Sequence, residues 1–250
     1  MRIEGLLRIV ELARLKGTVF DGIFFINGKM CKIEGMESGA DVVFRLQGPV
    51  DMPDLGIVPV GNLDYFQKVL VQFKGVEVEI LRDQENMLTI SYEKRPWRFQ
   101  LADEERGIKH KLDDPSIIDE VIGEEAFFFP LPEHTRSECA KYLSVLESQK
   151  VYFFIDKDGS VSLNGGGEQE SSFDYYLGKG KPQKKEYCFD VRKEKLIAIL
   201  DSLDYPEAIE EKGKKKLIRN PTLGFRLAIE DRPIAIFKQL SNIWLLTSTE

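Results

Sequence analysis

The sequence predicts an α+β fold made of two similar domains, each with two helices on one side of antiparallel sheets. The stretches GIFFINGKMCKIEG, from Gly22 to Gly35, and VYFFIDKDGSVSLNGG, from Val151 to Gly166, both follow an amphipathic helix and turn at Asn-Gly or Asp-Gly. Their Phe-Phe-Ile runs begin 129 residues apart. Two Arg-Pro pairs, each expected at a turn between alternating strands, begin 137 residues apart. Similar offsets at both ends of a half indicate one duplicated domain.

The elements of the first half follow from hydrophobic periodicity. An apolar stripe predicts a helix over residues 4–16, with Leu12 on the opposite, mixed side. A second stripe predicts a helix from Asn62 to Phe73. Alternation predicts strands, and residues between 46 and 62 are expected to form a Pro-punctuated loop. The predicted strands are 19–26, 29–35, 41–46, 76–81, 87–93 and 97–102.

The second half repeats this order after a charged connector. Domain boundaries are expected at 1–102 for the first domain, 103–125 for the connector, partly extended over the surface, and 126–250 for the second domain. Helices are predicted over 135–149, with Tyr142 facing inward, and over 192–203. A basic loop around Lys212–Lys216 leads to the final strands.

Composition excludes several classes. The chain has 250 residues, 42% apolar and 31% charged, and no run long and apolar enough to cross a membrane. Three widely spaced cysteines, Cys31, Cys139 and Cys188, fit neither a disulfide framework nor a metal knuckle and favour a reducing, cytoplasmic setting. The net charge of −7 is opposite to that of a protein that grips DNA through many phosphate contacts.

No catalytic site, cofactor site or metal site is recognisable in the sequence. His110 lies in the charged connector and His134 beside a helix start, without the spacing of a zinc site. The stretch 156–159 is expected to be a hairpin turn, and the segment 177–182 lacks the spacing of a phosphate loop and is expected to be a basic turn. The chain is therefore expected to bind and organise rather than to catalyse.

Three stretches carry a resemblance to a known family. They are IEGMESGADVVFRL at 33–46, KDGSVSLNGGGE at 157–168 and DRPIAIFKQLSNIWLLTSTE at 231–250. Together with the element order, they resemble the two-domain DNA sliding clamps, which include proliferating cell nuclear antigen, its archaeal relatives and phage polymerase processivity factors. The resemblance implies a duplicated DNA-clamp domain and a subunit of a closed ring of three chains, with helices lining the hole and sheets forming the wall.

That resemblance implies a non-enzymatic function. The ring would encircle double-stranded DNA without regard to sequence and tether a DNA polymerase as a processivity factor in replication, with other clamp-binding proteins and a clamp loader as further partners. Its expected location is the cytoplasm of a bacterial or archaeal cell, or of a host cell if a phage encodes it. Because a ring holds DNA by topology, an acidic outer wall is compatible with this function. The implied DNA-facing residues are Arg8, Lys16, Lys68, Lys141 and Lys195.

The resemblance also implies a pocket for partner peptides, near the connector. Its implied residues are Met36, Val43, Ile117, Ile118, Pro233, Leu245 and Thr247. Ordinary core positions are the alternative for Met36, Val43 and Leu245. Ile117 and Ile118 form an apolar pair in a polar connector, which indicates a binding surface. Strands at 97–102 and within 172–190 are the candidates for pairing between subunits.

Two alternatives stay open on the sequence. The first is a non-catalytic two-domain interaction scaffold with no role on DNA, which ring formation would distinguish from a clamp. The second is an enzyme, such as a carboxylate-based hydrolase, whose site the motifs do not reveal.

Overall fold

The computed structural model describes residues 1–83, 86–123, 126–165, 173–203, 210–211, 214–215, 221–227 and 232–249. These form two compact units, Met1–Pro115 and Ser116–Glu250, and the predicted connector spans this division. Part of the glycine run at 165–167 and most of the basic loop at 212–216 lie outside the described residues.

The first unit begins with a helix and a four-stranded sheet. Helix α1 covers Glu4–Ala13 and is followed by a 3-10 turn at Leu15–Gly17. It therefore ends three residues before the predicted end at residue 16. Leu12 is buried, which corrects its placement on the mixed side, because α1 packs against both the sheet and a second helix. The strands are β1 Gly22–Asn27, β2 Met30–Met36, β3 Val42–Pro49 and β4 Asp54–Val60, in the antiparallel order β4-β1-β2-β3.

The β1–β2 hairpin turns where the sequence predicts it. The side chain of Asn27 accepts a hydrogen bond from the Met30 amide at 3.0 Å, and Gly28 has a φ of +85°, a conformation that favours glycine. Along β1, Phe24 and Ile26 are buried whereas Phe25 is exposed. The strand therefore has one core face and one outer face.

Strand β4 corrects the prediction of a loop between residues 46 and 62. Its sequence, DLGIVPV, contains a glycine and a proline, which are typical of loops, but β4 is the edge strand of this sheet. Gly56 has a φ of +63°, and the register with β1 shifts between Ile26 and Asn27. A bulged edge strand tolerates both residues, so composition alone was misleading here.

A second helix and a three-stranded sheet complete the first unit. They are α2 Leu63–Val71, β5 Glu79–Arg82, β6 Met87–Tyr92 and β7 Arg95–Gln100, with β6 in the centre. The turn between β6 and β7 is Glu93-Lys94, where both residues have positive φ. Arg95-Pro96 therefore opens β7 and does not form the turn, which corrects the prediction.

The cap of α2 allows a test of local stability. The Asn62 side chain accepts a hydrogen bond from the Tyr65 amide at 2.8 Å. Replacing Asn62 with alanine is expected to lower the free energy of unfolding by about 1 kcal/mol, because one amide at the helix start loses its partner. Asn62→Ser keeps a capping oxygen and should unfold at nearly the wild-type urea concentration; equal losses in both variants would contradict the role of the cap.

The second unit repeats the element order after a short helix and strand. Helix α3 covers Ser116–Gly123, and strand β8 covers Phe127–Pro130. The repeat then consists of α4 Glu133–Val145, β9 Lys150–Ile155, β10 Ser160–Gly165, β11 Phe173–Lys179, β12 Tyr187–Arg192, α5 Lys193–Ser202, β15 Thr222–Arg226, β16 Ile234–Gln239 and β17 Asn242–Thr247, with two-residue strands β13 Glu210–Glu211 and β14 Lys214–Lys215 before β15.

Helix α4 begins and ends earlier than the predicted range of 135–149. Cys139 and Leu143 are buried as predicted, whereas Tyr142 is exposed and stacks on Phe173 of β11. Tyr142 lies beside the buried stripe, and its large ring covers strand β11 at the border of the helix face. This corrects its placement in the core.

Both units share one plan, which confirms the predicted duplication and fold class. Strands β9–β12 pair in the order β11-β10-β9-β12, equivalent to β3-β2-β1-β4, and the last three strands form a meander, as β5–β7 do. Helix α1 contacts α2 in the first unit, and α4 contacts α5 in the second. Phe153 packs edge-on against Phe225 in the second unit, and Phe24 packs on Phe66 in the first.

Candidate functional site

Exposed cations lie on the helices of the first unit. Arg8 of α1 is partly exposed and lies 3.8 Å from the Glu11 carboxylate. Lys16, just after α1, and Lys68 of α2 are exposed. Arg14 joins the two helices, since its Nε donates to Asp64 at 2.6 Å. The three predicted cations therefore belong to one joined helix pair.

In the second unit, α4 carries a small polar stripe. Ser137, Lys141 and Ser144 are exposed at helical spacing, and the Ser144 hydroxyl donates to the Lys141 carbonyl at 2.7 Å. Ser148, assigned to this stripe by the sequence, lies beyond the helix end and donates to the Lys150 carbonyl. One lysine among small hydroxyl groups is a surface that can approach a polyanion without holding it tightly.

The structure corrects the prediction that Lys195 is an exposed residue of α5. It is only 6% exposed, and its Nζ lies 3.4 Å from Glu194 Oε1. It shares a buried stripe with Ile199 and Ser202, so the core-facing side of α5 is wider than the leucine pattern predicts. Lys195 therefore does not offer an exposed charge on α5.

Two predicted partner-binding residues are neighbours on the first unit. Met36 of β2 and Val43 of β3 are register partners, and both are half-buried. Their side chains point to the same face, because directly opposed residues in an antiparallel pair share a face. This face is the one that carries Phe25 of β1, opposite to the core.

The second unit holds the remaining predicted residues in different environments. Thr247 and Leu245 lie on one face of β17, and Leu245 is buried, which favours the ordinary core position that the sequence left open for it. Pro233, just before β16, is half-buried, and its carbonyl accepts from the Ser248 amide at 3.1 Å.

The two isoleucines of the predicted connector, Ile117 and Ile118, lie in different environments on helix α3. Ile117 is 44% exposed, whereas Ile118 is completely buried. Successive helical residues point about 100° apart, so the pair cannot form one exposed surface. Ile117 remains available to a partner, and the assignment of Ile118 is corrected to the core.

A buried carboxylate holds the connector segment before α3. Asp21 Oδ1 accepts from the backbone amides of Lys109 at 3.0 Å and His110 at 2.9 Å, and it lies 3.1 Å from His110 Nδ1. The Met36 amide donates to the His110 carbonyl at 2.9 Å. His110 is therefore buried and structural, which corrects its expected position in an exposed, charged stretch.

Sequence reasoning missed Asp21, since it is separated from His110 by 89 residues and belongs to no motif. The connector passes close to strand β2 at Gly35. A Cβ at this position would lie 2.7 Å from the His110 carbonyl oxygen. Beside this contact is a cleft of about 510 Å³, lined by Ile23, Phe25, Lys32, Glu34, Glu104, Lys111, Leu112, Asp113 and Pro115.

Two of the three cysteines are buried in the described residues, which also contain no candidate metal site. No group of three His, Cys, Asp or Glu side chains among them could hold a metal ion. Burial raises the pKa of the Cys31 and Cys139 thiols to about 12, so neither thiol is a reactive nucleophile. No helix in the described part of the chain is long and apolar enough to cross a membrane.

Solved structures share this plan over the whole chain. PCNA from Thermococcus kodakaraensis superimposes with a TM-score of 0.62 over 97% of this chain and 95% of its own, at 12% identity. The chain has the fold of the DNA sliding clamps. PCNA of A. fulgidus, in a structure with the C-terminal region of FEN-1, gives a TM-score of 0.64 over 98% of this chain and 95% of its own, also at 12% identity.

Longer clamp proteins match over a smaller share of their length. The Helicobacter pylori beta clamp, bound to a DNA ligase peptide, gives a TM-score of 0.63 at 11% identity. The match covers 97% of this chain and 64% of the beta clamp, so the chain spans less than two thirds of that protein. No family model matches the chain, and no curated protein matches it by sequence. The similarity to the clamps is therefore visible in the fold, although few residues are identical between the sequences.

Proposed function

We propose that the chain is a subunit of a homotrimeric sliding clamp that encircles duplex DNA and tethers a DNA polymerase as a processivity factor in replication. The observation that carries this proposal is the whole-chain likeness to two-domain PCNA, with both units built on the same plan. In this function the protein is not an enzyme and acts by holding its partners on DNA.

Encirclement accounts for the charge of the protein. A ring retains DNA by topology and needs only a mildly cationic lining, because each strong phosphate contact would slow sliding. Exposed Lys68 of α2 and Lys141 of α4, with Arg8 and Lys16, supply such a lining. The net charge of −7 then belongs to the rest of the surface.

Ring closure is supported by two edges that carry exposed apolar side chains. Strand β7 stands last in its described sheet, with Trp97 41% exposed and Tyr65 of α2 stacked on Phe99. Strand β11 stands last in another described sheet, beside the exposed Tyr142 and Val145 of α4. Pairing β7 of one copy with β11 of the next covers both edges and continues head to tail, which is how cyclic rings close.

Partner docking is supported on the outer face of the first unit. Met36 and Val43 are half-buried beside the connector, and Asp21 holds that connector in one position. A short hydrophobic peptide from a polymerase or another clamp-binding protein fits such a surface, and the peptide-bound clamps of H. pylori and A. fulgidus support this mode. A clamp loader would open the ring for loading.

Retention on circular DNA tests the proposal. The protein, loaded on nicked circular duplex, is expected to co-elute with the DNA from a sizing column at a salt concentration that suppresses phosphate contacts, and to be lost after the circle is linearised. Light scattering over a dilution series should show a species of three times 28.7 kDa. Equal retention on circles and linear duplex, or a compact dimer at every dilution, would contradict encirclement; a monomer with no retention would favour an interaction scaffold.

A further inference from the structure

Two neighbouring loops of the second unit carry lysines that the clamp fold does not account for. The β9–β10 turn, residues 156–159, contains Lys157. The β11–β12 connection, residues 180–186, contains Lys181, Lys184 and Lys185, and Lys179 ends β11. All five lysines are exposed, and we call these two segments the lysine loops.

The lysine loops are tied to each other by backbone contacts. Gly180 N donates to the Gly159 carbonyl at 2.9 Å, and Gln183 N donates to the Lys157 carbonyl at 2.8 Å. Gly159 has a φ of +86°, and a Cβ at this position would lie 2.5 Å from the Lys181 carbonyl oxygen. Only glycine therefore permits this approach, and the lysines are presented at fixed spacing.

Internal pairing leaves an excess of positive charge on this surface. Lys179 Nζ lies 2.6 Å from Asp158, whose pKa is lowered to about 2 by this hydrogen bond and by bonds from Ser160. Lys157 Nζ lies 3.7 Å from Glu186. Among the described residues, Lys181 and Lys184 have no carboxylate within ion-pair distance, so their charges face solvent.

The chemistry of the lysine loops favours a phosphate polymer over a protein. Protein docking surfaces depend on apolar or aromatic anchors, and residues 156–159 and 179–186 expose no large apolar side chain. Lysine, by contrast, is a sequence-independent contact for phosphate oxygens. The Lys185 Nζ lies 5.1 Å from the ring centroid of half-buried Tyr187.

We propose that the lysine loops contact the phosphate backbone of duplex DNA, separately from the helix cations. The choice of duplex DNA rests on the proposed function. Because the loops are rigid and their charges are spread along the chain, the contact adds affinity without base specificity and weakens as salt rises. An acidic polypeptide is the alternative ligand, and the experiment below separates the two.

The test measures binding of a labelled short linear duplex by fluorescence anisotropy across a salt series. The double variant Lys181→Glu with Lys184→Glu is expected to bind about five- to tenfold more weakly at low salt. The slope of log affinity against log salt should become shallower by about 2, since two phosphate contacts are lost. The matched control, Lys29→Glu with Lys74→Glu, makes the same change in net charge at exposed lysines of the first unit and should keep wild-type affinity.

Three outcomes would overturn the proposal. They are a lack of wild-type binding at low salt, equal losses in the loop and control variants, and a loss of binding to labelled poly-glutamate as large as the loss of binding to DNA. Retention on circular DNA is scored in parallel. A chain that binds linear duplex through the lysine loops but shows no topological retention contradicts the proposed ring alone, and the reverse result contradicts the lysine loops alone.

Discussion

Replacing Val145 with glutamate is expected to prevent the proposed trimer from forming and to leave monomers. Val145 ends α4 at 75% exposure, one helical turn from Tyr142, beside the edge strand β11. In the proposed ring this face is covered by β7 and Trp97 of the next copy. A carboxylate placed in that apolar contact loses its hydration without gaining a partner, which costs about 3 kcal/mol or more and weakens association by at least ~100-fold.

The measurement is light scattering over the dilution series in which the wild type is expected to form the proposed trimer. The variant should give 28.7 kDa and an unchanged unfolding temperature, because so exposed a side chain contributes little to folding. Leu240→Glu is the matched control, since Leu240 is 73% exposed in the β16–β17 turn and belongs to neither β7 nor β11. If Val145→Glu stays trimeric, or if both variants dissociate alike, β11 is not the association edge.

Replacing Asp21 with alanine is expected to lower the free energy of unfolding by roughly 2–4 kcal/mol and to release the connector. Two backbone amides, of Lys109 and His110, lose their acceptor, and an unsatisfied buried donor costs about 1–3 kcal/mol. The loss should be local, so hydrogen exchange at residues 107–111 should rise well before the rest of the unit opens. Denaturation in urea measures the loss in the free energy of unfolding, and hydrogen exchange measures the release of the connector.

Asp21→Asn separates the hydrogen bonds from the charge. Its amide oxygen can still accept from both backbone amides, so it is expected to recover most of the stability. Asp54→Ala, which also removes a carboxylate that accepts from a backbone amide, at 3.1 Å on an exposed edge, should cost less than about 1 kcal/mol. An Asp21→Ala protein with the exchange of the wild type at residues 107–111 would show that other contacts hold the connector.

The local pattern of the chain was predictable because its signals act over a few residues. The Phe-Phe-Ile hairpins and the Asn-Gly turn each depend on neighbours within about four positions. The duplication was visible for the same reason, since each copy repeats its own local signals in the same order. These features are enough to identify an α+β fold with two similar domains.

The candidate site was predicted less completely, because burial depends on partners that are distant in sequence. Lys195 and Ile118 were predicted to be exposed because polar residues surround them in the sequence. Both are buried, since the packed faces of α5 and α3 are wider than the apolar pattern of the sequence indicates. Strand β4 looks like a loop but pairs with β1, because a bulge at a sheet edge accommodates its glycine and proline. Exposed positions such as Lys68 and Lys141 were predicted correctly as exposed, because nothing in the fold covers them within the described residues.

Apart from strand β4 and the β6–β7 turn, the sequence by itself determined the main helices and strands, their hairpin turns and their duplication, since these follow from backbone preferences and apolar periodicity. Only the tertiary structure decided where Asp21 meets His110, how closely Gly159 lets the lysine loops approach, and which strands stand at the sheet edges. Those contacts join residues far apart in the chain, and no periodicity records them. The Asp21 contact and the link between the lysine loops are hydrogen bonds, whose donors and acceptors meet only after the chain has folded.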